Sequence, residues 1–241
     1  MNKKNVWFIT AKTNLHVGNE NTSSYGLIDL AVQRNVTTNL PCINSSSLKG
    51  ALNEYAAQVA KLESEDLIRI FGSDKVKKED GKNRNSDTQK GQYTFFDANI
   101  LFLPKQSDTN LFELVTCDSV LHRFFNQVKL LTGVDLSEAD LKGKFTYTKV
   151  SDKDFIDLCS DDNLPIIARN VLDNGESKNL WYEQVVPAET VFYTLMDDTL
   201  DKASTLAKKI TEDNAIVQIG ANATIGYGYC KFTNLNNENH E

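Results

Sequence analysis

Strand, helix and strand patterns follow one another near the N-terminus, the same order returns near the C-terminus, and the stretches between are polar insertions. Together these predict an α+β chain with a ferredoxin-like core, the split βαβ arrangement. Residues 5–13, Asn-Val-Trp-Phe-Ile-Thr-Ala-Lys-Thr, carry bulky and β-branched side chains in partial alternation and read as the first strand. From His16 to Ser47 the chain is rich in Gly, Asn, Ser and Thr. That connection is too long for chain reversal alone, so a long β1–α1 loop with work to do is expected. Leu48, Ala51, Leu52, Tyr55, Ala56, Val59 and Ala60 then recur at spacings of three and four. With Ser46 or Ser47 as cap they predict an amphipathic helix over 47–61, followed by a short one from about Glu65 to Phe71.

Residues 74–92 hold a single apolar side chain, Val76, among mixed charges, and are expected to form a mobile loop. Strands are predicted over 93–103 and 111–116, then a helix capped by Asp118 that places Val120, Leu121, Phe124, Phe125, Val128 and Leu131 on one side. Residues 133–163 are acidic and weakly patterned. Further strands are expected over 164–172, 180–186 and 190–196, a helix over 200–210, and a final strand pair over 215–219 and 228–233. The whole reads as one domain, 1–233, with an insertion region over about 118–180 and an Asn-rich tail, 234–241, expected to be disordered. A ferredoxin-like, RRM-like domain presents an open antiparallel sheet that many RNA-binding modules use, but fold alone names no function.

With 241 residues, 40% hydrophobic and 24% charged, the chain has the composition of an ordinary soluble domain. Its net charge of −7 excludes a polybasic nucleic-acid tail. The charge is uneven, however: residues 1–50 hold five basic and two acidic groups, whereas residues 151–241 hold seven and sixteen. One face can therefore meet phosphates while another meets solvent or a basic partner. No apolar run approaches the ~20 residues of a membrane span, so no membrane association and a cytoplasmic location are expected. Cys42, Cys117, Cys159 and Cys230 are far apart in sequence and form no CxxC or His/Cys cluster, which argues against zinc and against a disulfide framework.

Four segments stand out chemically. Asn14-Leu-His-Val-Gly18 closes the first strand, and Gly26-Leu-Ile-Asp-Leu-Ala-Val-Gln-Arg34 crosses the long loop. There Leu27, Ile28, Leu30 and Val32 read as anchors, with Asp29 and Arg34 as polar exceptions. A turn cap at Asp29, a surface ion pair at Arg34 and a plain loop histidine at His16 fit the same residues. Ser45-Ser-Ser-Leu-Lys-Gly50 sits at a helix start, where amides, the hydroxyls of Ser46 and Ser47, and Lys49 make a phosphate seat or, more plainly, a cap beside a solvated lysine. Ile219-Gly-Ala-Asn-Ala-Thr-Ile-Gly-Tyr-Gly-Tyr229 is a glycine-rich turn carrying Gly220, Gly226 and Gly228. No helix follows it and no Gly-Lys-Ser/Thr closes it, which rules out a dinucleotide fingerprint and a P-loop.

In this order the segments resemble the RAMP superfamily of CRISPR-associated proteins, and within it the backbone subunits of type III-B Cmr complexes. Phe71-Gly-Ser, Phe95-Phe-Asp-Ala-Asn-Ile-Leu-Phe-Leu-Pro104, the block from Phe112 to Arg123 and that from Leu180 to Phe192 support the resemblance, which spans residues 9–231. It implies a RAMP core with inserted thumb or lid segments. It further implies a subunit that binds CRISPR RNA, stacks with copies of itself into a helical filament beside other Cmr subunits, and cuts target RNA at regular intervals. Asp29 inherits the catalytic role, with His16 and Glu183 as neighbours. Arg34, Ser46, Ser47, Lys49, Gly220, Gly226 and Gly228 inherit RNA contacts, and Asp29 a weakly held Mg²⁺ or Mn²⁺. The chain departs from the family pattern at Asn35, at Asn44-Ser-Ser-Ser and at Gly220-Ala-Asn-Ala-Thr, but keeps Asp29 and Lys49. A non-catalytic RNA scaffold and a RAMP endonuclease that processes CRISPR RNA are the alternatives.

Overall fold

In the computed structural model, which describes residues 5–18, 28–73, 89–173, 176–198 and 205–235, Val6–Ala11 form β1. All of β1 but Thr10 is buried, as a strand with both faces covered must be. β2 (Cys42–Ile43) leads into α1 (Ser45–Glu54), which continues as a π-turn over Tyr55–Val59. The helix starts two residues earlier than the periodicity predicts, with Asn44 at its cap, so Ser46 and Ser47 lie inside the first turn. The Ser45 amide instead donates to the Asp97 carboxylate at 2.7 Å, a cap brought from elsewhere in the chain. Then follow α2 (Ser64–Phe71), β3 (Thr94–Phe95), β4 (Ala98–Lys105), β5 (Glu113–Thr116) and α3 (Asp118–Thr132). Cys117, not Asp118, is the cap position of α3, and the Ser119 amide is satisfied by Asp152 at 3.2 Å.

The weakly patterned acidic stretch folds into α4 (Glu138–Lys142), β6 (Tyr147–Lys149) and α5 (Asp152–Leu158). β7 (Ile166–Asp173) and β8 (Glu176–Gln184) form a separate two-stranded hairpin. β9 (Val191–Asp197), α6 (Thr205–Ile210), β10 (Val217–Gln218) and β11 (Tyr229–Asn234) complete the chain. Part of the loop expected over 74–92, residues 74–88, lies outside the described residues, as do 199–204 and 236–241. The remainder of that loop is tied down: Gln92 donates its amide to the Arg69 carbonyl at 2.8 Å. Asn234 and Leu235, assigned above to a disordered tail, are buried, Asn234 pairing with Trp7 at the end of β11.

The main sheet runs β10-β11-β1-β9-β4-β5-β6, with β2 on β4 and β3 on β9. Its centre, β11-β1-β9-β4, is antiparallel throughout. With α1 between β1 and β4 and α6 between β9 and β11, this is the ferredoxin-like topology the element order predicts. The open sheet face expected of such a domain is absent here. Phe8, Phe102 and Tyr193 are large and fully buried, and the inserted segment covers them: Phe124 of α3 meets Phe8 and Tyr193, and Phe145 meets Phe8 and Phe102. RNA cannot use the central sheet as its platform, so the functional surface is built from the loops. All four cysteines are buried and free; burial pushes Cys42 and Cys117 up to about 11 and Cys159 and Cys230 up to about 12, so they stay thiols at neutral pH. Among the described residues no helix is long and apolar enough to cross a membrane.

Candidate functional site

Three segments converge beyond the end of β1. Leu15 exchanges both backbone hydrogen bonds with Val186 (2.9 and 2.8 Å), and the Ala221 amide of the glycine-rich turn donates to the His16 carbonyl at 2.9 Å. The loop then passes outside the described residues and returns at Ile28. From there it runs as an added edge along β8: the Leu30 carbonyl accepts from the Gln184 amide at 2.9 Å, and the Gln33 amide donates to the Val17 carbonyl at 2.8 Å. Leu27, expected as an anchor, is not among the described residues; Leu30 is exposed and only Val32 is fully buried. Backbone pairing to β8 does the anchoring, because an edge strand is held by its own amides and carbonyls whatever its side chains.

Asp29 lies on that edge. Its amide donates to the Tyr182 carbonyl at 3.0 Å, and its Oδ2 accepts from the Tyr182 amide at 2.7 Å. The residue is exposed, so the carboxylate is oriented by β8 and faces solvent with its other oxygen. His16 and Glu183 differ, being 3% and 1% exposed. His16 Nδ1 lies 2.7 Å from the Gln184 carbonyl and 3.5 Å from Glu183 Oε1. Glu183 Oε2 accepts from Arg169 at 3.0 Å, and Oε1 accepts from the Asn222 amide group. Arg169 in turn stacks near Trp181 and Tyr227, 5.7 and 5.9 Å from their ring centres. The three sequence-predicted catalytic residues therefore split. Asp29 is at the surface; His16 and Glu183 form a buried network one strand position away, which can hold Asp29 in place but does not face solvent. Arg169 and Asn222, absent from the sequence reading, complete it. Arg169 follows Ile166-Ile-Ala168 and Asn222 lies between two alanines, so neither has a polar motif around it, and only the β7–β8 register, pairing Ile167 with Glu183 and Arg169 with Trp181, brings arginine and glutamate to one face.

The RNA-contact candidates also divide. Arg34 is turned inward: its guanidinium donates to the carbonyls of Asn39 (2.7 Å) and Cys159 (2.8 Å) and to Asp161 (2.7 Å), clamping the loop to the segment after α5. Ser47 Oγ accepts from Gln33 at 3.1 Å, and the Asp97 carboxylate already occupies the first amide of α1. Ser46 and Lys49 remain exposed at the helix start. In the glycine-rich turn, Gly220 and Gly228 have φ of +82° and +78°, and a Cβ at either would collide with a carbonyl, that of His16 or Ile219. Gly226, at φ +84°, faces open space. Gly220→Ala is therefore expected to combine left-handed strain with a clash and to lose more than about 2 kcal/mol, against roughly 1 kcal/mol for Gly226→Ala. Equal shifts in denaturant midpoint for the two variants would show that contact with His16 is not what fixes this turn.

Among the described residues no group of three or more His, Cys, Asp or Glu is placed to hold a metal ion. A single exposed carboxylate with one oxygen uncommitted still fits a divalent ion shared with phosphate oxygens and water, the usual Mg²⁺ arrangement.

A family model described as the RAMP superfamily matches residues 8–231. The chain is 26% identical over 268 aligned positions to the CRISPR system Cmr endoribonuclease Cmr4 of Pyrococcus furiosus, covering 86% of this chain and 88% of that protein. Its fold is similar to a chain of the type III-B Cmr-beta complex bound to cognate target RNA, with a TM-score of 0.69, 19% identity and coverage of 95% and 96%. It is likewise similar to oligomeric Cmr4 from Pyrococcus furiosus, with a TM-score of 0.69, 23% identity and coverage of 95% and 96%.

Proposed function

The chain belongs to the RAMP superfamily, and from that premise we propose that it is the CRISPR-RNA-binding backbone subunit of a type III-B complex and the endoribonuclease that cuts the target RNA. The observation that carries the nuclease reading is Asp29, an exposed carboxylate held at two points by the backbone of β8. The similarity to a Cmr endoribonuclease over most of both chains supports the same reading. Copies of the chain stack along the guide in a helical filament, together with other Cmr subunits, in the cytoplasm. The β7–β8 hairpin, apart from the main sheet and with Val171, Leu180 and Tyr182 exposed, fits the thumb-like element that interrupts the guide–target duplex.

Cleavage then proceeds by in-line attack of a target 2′-hydroxyl on its own adjacent phosphate: the 2′-oxygen gives up its proton, a 2′,3′-cyclic phosphate forms, and the bond to the next nucleotide's 5′-oxygen breaks, that oxygen taking a proton from water. A splayed nucleotide beside the hairpin supplies the geometry. Asp29 accepts or relays the proton, its orientation fixed by the Tyr182 amide. The buried His16–Glu183–Arg169 network keeps β8, and with it Asp29, in register. A Mg²⁺ or Mn²⁺ held by Asp29 and RNA phosphates would add positive charge where the phosphorane develops.

Reconstitution with a guide RNA and a complementary target should give a ladder of products at constant spacing, one cut per copy. Products without a period, or cutting of the guide precursor alone, would replace this reading with the processing one. Lys49→Ala is expected to weaken guide binding across sequences and to shallow its salt dependence by about one counterion. A slope equal to wild type would make Lys49 merely a solvated residue at a helix start.

A further inference from the structure

The β7–β8 hairpin beside Asp29 has two unlike faces. Side chains alternate along a strand, so the register puts Arg169, Trp181 and Glu183 on one face and Ala168, Leu180 and Tyr182 on the other. The first face is closed by the buried network and by the Arg169 contacts with Trp181 and Tyr227. The second is open: Leu180 is 53% exposed and Tyr182 40%. The Tyr182 ring and hydroxyl have no ring contact or hydrogen bond among the described residues, whereas the amide and carbonyl of the same residue are both bonded to Asp29. Across the hairpin its neighbour is Ala168, too short to cover the ring, and neither Ala168 nor Leu180 carries charge.

An open ring in uncharged surroundings is a poor seat for a phosphate and a good one for the face of a nucleobase. Its position says which base. The backbone of Tyr182 orients the Asp29 carboxylate, so ring and carboxylate belong to one piece of strand edge, and a base laid on the ring brings its own ribose beside Asp29. In a continuous A-form stack a 2′-hydroxyl lies to the side of the 5′-oxygen it must displace; drawing the base out of the stack frees that ribose to turn toward the in-line arrangement. We infer that the Tyr182 ring is the stacking platform for the splayed target base whose own 2′-hydroxyl attacks. This rests on the target-cleavage reading above and adds the contact that holds the reacting nucleotide. A single ring face accepts any of the four bases, so the platform selects an unpaired base and not a sequence.

The test uses the full chain assembled on a guide RNA and reads single-turnover cutting of two targets. One is normal; the other carries, immediately 5′ to one mapped cut, an abasic ribonucleotide that keeps its 2′-hydroxyl, the remaining cuts serving as internal controls. Wild type should cut the normal target at constant spacing; if it does not, the cleavage reading fails and takes this inference with it. Tyr182→Leu leaves both backbone bonds to Asp29 available and should cut the normal target about 10-fold more slowly. The abasic nucleotide should cost wild type a similar factor at that one cut, and the two changes together should cost no more than either alone. Tyr182→Phe should recover most of the rate, because the ring stacks and the hydroxyl does not. Normal cutting by Tyr182→Leu, normal cutting beside the abasic nucleotide, losses that multiply when the two are combined, or no recovery in Tyr182→Phe overturns the inference. So does a higher protein concentration needed for multi-copy assembly of Tyr182→Leu, read by mass photometry, which would make the ring a contact between copies instead.

Discussion

An assembled complex carrying Asp29→Asn is expected to bind its guide, stack and pair with target as wild type does, and to cut that target at least about 10²-fold more slowly. The separation follows from what the carboxylate touches. Its Oδ2 accepts from the Tyr182 amide at 2.7 Å, and an asparagine carbonyl oxygen accepts there equally well. The Asp29 amide keeps its 3.0 Å bond to the Tyr182 carbonyl in either variant. What is lost is the negative charge, the proton-accepting oxygen and the one ligand this edge offers a cation. Every copy carries the same defect, so all the regularly spaced cuts should fade together rather than one by one. Asp29→Ala removes the Tyr182 bond as well, and its loss should include looser pairing of residues 28–32 with β8, visible as faster amide exchange there. Measured single-turnover rates decide the matter: an Asp29→Asn complex that cuts at the wild-type rate would leave the chain a scaffold that displays target RNA without cutting it.

The core of the fold could be read from the sequence because it rests on local pattern. β1 is a run of bulky side chains, α1 repeats Leu48, Leu52 and Tyr55 at helical spacing, and both become buried elements in the expected order. What escaped was set by distant parts of the chain. Asp97 caps α1, Asp152 satisfies the start of α3, and Phe145 closes over Phe8 and Phe102, so capping and the covered sheet face depended on partners tens of residues away. The site divides along the same line. Asp29 stood out as a charge in an apolar stretch, and the structure leaves it exposed. Arg34 stood out for the same reason, but the Cys159 carbonyl and Asp161, more than a hundred residues later, turn it inward. Sequence spacing cannot tell a charge that meets ligand from one that clamps a loop; burial and partners can.

That distinction makes Arg169 the second large expected effect. Glu183 is a carboxylate 1% exposed, and the neutralising charge beside it is Arg169 at 3.0 Å, with Asn222 and His16 filling the remaining positions. Arg169→Met keeps much of the apolar stem but strands that buried charge, at an expected cost of about 3–5 kcal/mol. For a chain of this size that corresponds to a fall of roughly 2–4 °C in melting temperature per kcal/mol. Removing both charges, as Arg169→Met with Glu183→Met, should recover most of the loss, since a paired buried charge and an apolar pair of similar volume differ little in net stability. The recovery should stop short of wild type by about 1–3 kcal/mol, because the Asn222 amide then has no acceptor. Stability and rate should part company in the double variant. If the network serves to hold β8 against Asp29, the refolded protein still cuts slowly, whereas a network that only stabilises the fold would return the cutting rate along with the melting temperature. Glu183→Ala alone should fall between these, losing stability and some cleavage without reaching the deficit of Asp29→Asn, because Glu183 reaches the reacting RNA only through the strand that carries Tyr182.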